Sequence, residues 1–197
     1  MSIGKRVYEA IERMDRDDPE GAFFAICATI EPTARRTTGK GGRESCKTFI
    51  DQNLGLITRI AFGGGRILNI NIAFRPPMVK ESGDGTYSMG TIVYHAIRCA
   101  LYHECELPAS LRISATAGLS LQNGVLTLPG SLVYGILMAV VTAPCNAAER
   151  TPAPSYLAIR GRQHSLDDLW GDCARLENLL DAANDDPEAT YLGGAGA

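Results

Sequence analysis

Apolar residues recur every three or four positions along most of the chain, and this period predicts amphipathic helices. The start of the second helix is marked by Asp18 and Pro19, since an acidic cap before proline suits the first helical turn. Pro32 lacks a backbone donor, which predicts a kink or a restart next to Glu31. At that kink Glu31 is either a buried acid or a helix cap. The predicted helices cover residues 3–14, 21–30, 44–61, 91–107, 131–143 and 165–183.

Three short segments show a period of two instead, which is typical of half-buried strands. Residues 67–74 alternate as ILNINIAF, and 156–159 read YLAI. Between them, Asn123-Gly124 predicts the turn of a hairpin that includes the alternating residues after Leu111. The expected fold class is therefore mainly α (α+β), with one helical domain over residues 1–183. The acidic, then glycine- and alanine-rich tail, 184–197, is predicted to be disordered.

Composition and charge limit the kinds of function that the chain can have. The 197 residues are 45% hydrophobic and 21% charged, as in an ordinary globular domain. A formal charge of -3 gives no overall basic field, so a nucleic acid would have to be held by a local patch. The charged N-terminus lacks a secretory signal, and the longest apolar run, 132–143, is shorter than the roughly 20 residues of a membrane span. We expect a cytoplasmic protein that does not enter the membrane.

Cysteines and histidines raise the question of a metal site. The six cysteines include no C-x-x-C pair, so we expect buried thiols and no disulfide. His95, Cys99 and His103 follow one another at four-residue steps, with Cys105 just beyond. The ends of this stripe are about 12 Å apart along a straight helix, too far to share one zinc ion. We therefore expect no metal and no cofactor.

The same helix carries a second pattern, Arg98-Cys-Ala-Leu-Tyr-His103, near its C-terminal end. A histidine can move the 2′-hydroxyl or leaving-group proton of RNA near neutral pH, and an arginine can neutralise the phosphate. On an ideal helix, however, the two side chains are about 140° apart. They would meet at one phosphate only across a two-fold interface or after loosening of the last turn.

This R-x4-H pattern in IRCALYHECELP resembles the signature of the HEPN superfamily, and residues 20–107 loosely resemble its helical scaffold. The resemblance implies a HEPN-like helical bundle with a small β-hairpin or short-strand elaboration, acting as a homodimer that cuts RNA without a metal. It assigns catalysis to Arg98 and His103, with Cys99, Tyr102 and Glu104 as accessory residues. It also implies a toxin or phage-defence role, with a cognate antitoxin or defence protein as partner. Cys99 departs from the Asn, Asp or His often found after the arginine in active members.

Other interpretations stay open beside the nuclease. A catalytically inactive HEPN-like module would bind nucleotide, nucleic acid or a partner protein, and the missing polar group at Cys99 favours it. His103 could also be structural, since a helix dipole favours histidine near the C-terminus. Arg160 and Arg162, in IRGRQH before the last helix, are candidate phosphate-binding residues. The glycines at 63–65 are interpreted as a turn.

Overall fold

The computed structural model describes residues 2–76, 79, 84–104, 106–116, 118–159 and 162–184. Helices dominate and the strands are short, which confirms the mainly α (α+β) class. The α-helices are α1 (Ile3–Asp15), α2 (Pro19–Thr38), α3 (Arg43–Gln52), α4 (Leu54–Ala61), α5 (Met89–Ile92), α6 (Ala100–His103), α7 (Leu132–Val141) and α8 (Cys173–Asn184), and a π-helix (Val93–Cys99) joins α5 to α6. The strands are β1 (Asn71–Ile72), β2 (Tyr87–Ser88), β3 (Leu111–Ser114), β4 (Ser120–Gln122), β5 (Val125–Pro129), β6 (Tyr156–Ile159) and β7 (Arg162–Ser165).

The second helix begins as the sequence predicts but does not restart. The Asp18 side chain accepts a hydrogen bond of 2.8 Å from the Gly21 N–H, with Pro19 in the first turn. Helix α2 then continues through Pro32 to Thr38, so of the two predicted outcomes the restart does not occur and the kink stays a prediction. Burial of the helix on both sides of the proline keeps it continuous, and Gly39 ends it with a left-handed φ of 72°.

The predicted helix 44–61 is two helices. Asn53 separates α3 from α4, and its side-chain amide donates to the Phe49 carbonyl at 2.8 Å. Asparagine competes with the helix in this way because its amide bonds nearby backbone groups. The predicted helix 165–183 is also shorter, since Gly171 adopts a φ of 76° and α8 starts only at Cys173. Of the predicted tail, Asn184 is the last residue of α8, and the rest lies outside the described residues.

The strands form three small sheets. Asn123 and Gly124 have φ angles of 51° and 75° and connect β4 to β5 as an antiparallel hairpin, which confirms the predicted turn. Strand β3 pairs with β5 in parallel, so the sheet order is β3-β5-β4. Strands β6 and β7 pair antiparallel, so Arg162 lies on a strand and not in the loop expected before a helix. In the predicted strand 67–74, only Asn71–Ile72 pairs, antiparallel with β2.

The core is centred on α7, which is buried along most of its length. Gly135 allows α7 to approach α4, because a Cβ atom there would lie 2.4 Å from the Ile57 carbonyl oxygen. Helix α8 is fixed to α4 by Arg59, which is 3% exposed and donates to Glu177 and Asp181 at 2.6 Å each. Across the described residues, no helix is long and apolar enough to cross a membrane.

Candidate functional site around Arg98

The helix that carries the R-x4-H pattern is anchored at its start by α3. The Ser88 hydroxyl caps α5 by accepting from the Thr91 N–H, and it donates to Asp51 at 2.9 Å. Asp51 also accepts from the Gly90 N–H at 2.7 Å. The helix then widens into the π-helix and returns to α-helix in its last turn. Such π segments are rare and frequently lie at functional sites, and this one contains Arg98.

Arg98 is held by one carboxylate and two aromatic rings. Its Nη2 donates to Oε2 of Glu31 at 2.8 Å, and its guanidinium lies 5.1 Å from the centre of the Tyr94 ring and 5.5 Å from that of Tyr102. These distances are those of cation–π contacts. The side chain is 20% exposed. Among the described residues Glu31 is the one oxygen acceptor of the guanidinium. Within the same residues the Arg98 Nε is buried without a partner, so the donors that remain for a ligand are on Nη1 and Nη2.

Glu31 joins three elements around that arginine. Besides Arg98, it accepts from Arg35 at 3.1 Å and from the backbone N–H of Gly42 at 3.3 Å. It is therefore a half-buried acid that pairs with cations, and it caps no turn of its own helix. Two arginines and one carboxylate leave a net charge of about +1 at this point.

Three thiols lie near the same guanidinium. Burial raises the pKa of Cys27 to about 12 and that of Cys46 to about 11, although the positive charge of Arg98 opposes both shifts. Burial also raises the pKa of Cys99. These thiols stay protonated at neutral pH, so they are poor nucleophiles and poor metal ligands. No cluster of histidine, cysteine, aspartate or glutamate in the described part of the chain could hold a metal ion.

His103 lies on the neighbouring flank of the helix. Tyr94, Arg98 and Tyr102 form one stripe at four-residue steps, and the Tyr102 ring packs 4.7 Å from that of Phe24 on α2. His103 belongs to the next stripe and is exposed, as is Glu104. Five residues of ideal helix correspond to about 140° of rotation, so within one subunit the two side chains diverge. The π segment ends before residue 100 and leaves the last turn α-helical.

His95 lies near the positively charged side chains of Arg43 and Lys47. Burial lowers the pKa of His95, and the positive charges of Arg43 and Lys47 lower it further. Arg43 also acts electrostatically on Cys99, so the N-terminal part of α3 lies beside the π-helix. The sequence pattern singles out His95 only as a candidate metal ligand. The signal that could have found this neighbourhood is the charge of RRTTGKGGRESCK, which holds five cations and one carboxylate.

The other predicted phosphate ligands were Arg160 and Arg162. Arg162 is exposed on β7, and His164 follows two residues later on the same face of that strand. Arg160 lies outside the described residues. A separate cavity of about 270 Å³ lies between α1 and α2 and is lined by Arg6, Pro32 and Arg36, among others.

The chain matches a protein family. No curated protein and no solved structure is similar to this chain at a significant level. The model of the family Rv1289 matches residues 2–190, which include every element described above. The chain therefore belongs to the Rv1289 family.

Proposed function

We propose that this chain is a binding protein for single-stranded RNA, and that Arg98 contacts a phosphate of the RNA. The observation that carries the proposal is the arrangement of Arg98, which is oriented by Glu31 and two tyrosines, reaches solvent, and keeps unused N–H donors. An arginine held in this way is prepared for an anion, because its conformational entropy has already been reduced before binding.

The charges around Arg98 support an anionic ligand. We define the Arg98 face as Arg35, Arg43, Lys47, Arg98 and Tyr102. Its four cations are opposed by the carboxylates of Glu31 and Glu44, which leaves a net charge of about +2 in a chain of formal charge -3. A local positive surface on an otherwise acidic protein attracts phosphates without binding every polyanion.

Tyr102 indicates why the ligand is single-stranded. Its ring is 39% exposed, and it lies 4.7 Å from the Phe24 ring and 5.5 Å from the Arg98 guanidinium. Single-stranded RNA offers unstacked bases that can lie on aromatic rings beside a positive groove, and each such contact is worth about 1–3 kcal/mol. A duplex would present its phosphates but not its base faces.

The test measures affinity for a labelled single-stranded RNA in EDTA by fluorescence anisotropy. Arg43→Ala should weaken binding several-fold, because Arg43 is 60% exposed and belongs to the Arg98 face. Arg175→Ala is the matched control, since Arg175 is 52% exposed and pairs with one carboxylate elsewhere. If the two substitutions change the affinity equally, the proposed location is wrong.

A second candidate is a HEPN-like helical bundle that cleaves RNA as a homodimer. The exposed His103 favours it, since a proton-transfer group must reach substrate. Because Arg98 and His103 diverge within one subunit, the site would combine Arg98 of one copy with His103 of the other. A toxin or defence role, with a cognate protein partner, belongs to this candidate alone.

Cleavage in EDTA distinguishes the candidates. The nuclease requires that wild-type protein cut RNA without metal and that His103→Ala abolish cutting, whereas His164→Ala should leave it unchanged. If wild type binds RNA but does not cut it, the first proposal stands without the second.

A further inference from the structure

The segment 67–72 leaves apolar residues in solvent. It contains no helix, turn or bend, and within the described part of the chain its pairing with another strand is confined to Asn71–Ile72. Ile67 is 42% exposed and Leu68 is 77% exposed, whereas Ile70 and Ile72 are half-buried against the core. The alternating face of Leu68, Ile70 and Ile72 is therefore covered at one end and open at the other.

Among the described residues, one edge of this segment has no partner strand. Strand β2 occupies one side of β1, and among the described strands none pairs with the other side. Within the described residues the backbones of Leu68 and Asn69 make no hydrogen bond. An edge of this kind is a template for another strand, and natural proteins usually protect it with charge, proline or a covering element. The residues from 67 to 72 carry no charge and no proline.

The sequence of the segment is complementary to itself. When two copies run antiparallel with Ile70 opposite Ile70, Leu68 of each copy faces Ile72 of the other. Asn69 faces Asn71 on the opposite side of the ribbon. Opposed residues of antiparallel strands point to the same face, so apolar side chains meet apolar ones and amides meet amides.

We propose that a second copy of this chain pairs with residues 67–72 and forms a two-fold dimer centred on Ile70. A shift by one residue would put Asn69 opposite Ile70 and turn amides toward the core, so the pattern fixes the register. A two-fold interface uses the same patch on both subunits, which a self-complementary strand satisfies by itself. The dimer covers Leu68 of each copy with the other's Ile72. It is independent of RNA binding by the Arg98 face.

The oligomeric state of the full chain tests this dimer. Size-exclusion chromatography with light scattering should give a dimer for wild type at tens of micromolar. Leu68→Lys should weaken it by at least about tenfold, because each interface loses two apolar contacts and gains two unpaired charges. Leu68 is exposed in the single chain, so the variant should fold, which thermal melting checks. Tyr156→Lys, at a residue 57% exposed on β6, is the control and should remain dimeric.

A cysteine placed on the two-fold axis tests the register. Ile70→Cys should form a reducible dimer under mild oxidation, above the wild-type background, because opposed Cβ atoms lie about 4.5–5.5 Å apart, close to disulfide range. Tyr156→Cys should not. The proposal is overturned if the wild type is monomeric, even if its strand edge binds a peptide of another protein. A dimer that Leu68→Lys leaves unchanged also overturns it.

Discussion

Replacing Glu31 by glutamine separates the contribution of Glu31 to stability from its effect on RNA affinity. The side chain keeps its volume, but one carboxylate oxygen becomes an NH2 group. In the wild type, Oε2 accepts from Arg98 while Oε1 accepts from Arg35 and the Gly42 N–H. The amide can therefore satisfy one of these sides only, and its NH2 group must face an N–H donor on the other.

The expected loss of stability follows from those contacts. A hydrogen bond to a charged group is worth about 1.5–3 kcal/mol, and the pair is partly screened because Glu31 and Arg98 are 27% and 20% exposed. We expect Glu31→Gln to lower the free energy of unfolding by about 1–2 kcal/mol. For a chain of this length that corresponds to a fall in Tm of about 2–8 °C.

RNA affinity should change in the opposite direction. A carboxylate about 5 Å from a bound phosphate repels it by roughly 1 kcal/mol in a water-like dielectric and by more in a drier site. Tyr94 and Tyr102 still contact the Arg98 guanidinium and keep it oriented, while Nη2 is freed for the ligand. Glu31→Gln should therefore bind single-stranded RNA about fivefold more tightly or better, although the protein is less stable.

Two measurements on the same preparation check this prediction. Urea unfolding gives the stability, and anisotropy with labelled RNA in EDTA gives the affinity. Asp168→Asn is the control, because Asp168 is an ion-paired carboxylate away from the Arg98 face. Weaker RNA binding by Glu31→Gln, or no loss of stability, would refute the role assigned to Glu31.

Three further substitutions test the fold and the charges. Gly135→Ala should lower the free energy of unfolding by about 1–3 kcal/mol, because the new Cβ would lie 2.4 Å from the α4 backbone. Gly65→Ala is the control and should be neutral, since no atom lies within 4 Å of its Cβ position. Urea unfolding compares the two variants. Glu177→Gln should cost about 2–3 kcal/mol in the same assay, because it weakens the pairing of the buried Arg59, and an unchanged midpoint would contradict this. The lowered pKa of His95 means that the unfolded chain binds its proton more readily. Stability should therefore fall as the pH drops below about 6.5, and less so in His95→Gln, as melts at two pH values would show.

Local signals in the sequence predicted much of the fold. The cap at Asp18 and the turn at Asn123-Gly124 were identified because each depends on neighbouring residues alone. The sequence left a kink or a restart open at Pro32, and the helix continues because burial on both sides of the proline outweighs one lost hydrogen bond. The parallel pairing of β3 with β5 was missed, because it is set by tertiary packing and not by turn residues.

The candidate site was only partly predictable. Periodicity placed Arg98 and His103 on different flanks of one helix, and in the structure Arg98 pairs with Glu31 while His103 is exposed. It could not show that Glu31 pairs with the arginine, because that contact joins α2 to a helix 67 residues further along the chain. Nor could it show that α3 brings Arg43 and Lys47 to His95, which depends on the packing of α3 against the π-helix.

The salt dependence of RNA affinity for wild type and Arg98→Gln tests the phosphate contact most directly. If Arg98 binds a phosphate of single-stranded RNA, the variant should bind about tenfold or more weakly at low salt. The slope of log affinity against log salt concentration should also become shallower by about 0.7, the value for one lost phosphate contact. Coincident lines for the two proteins, with Arg98→Gln still folded by thermal melting, would contradict the account.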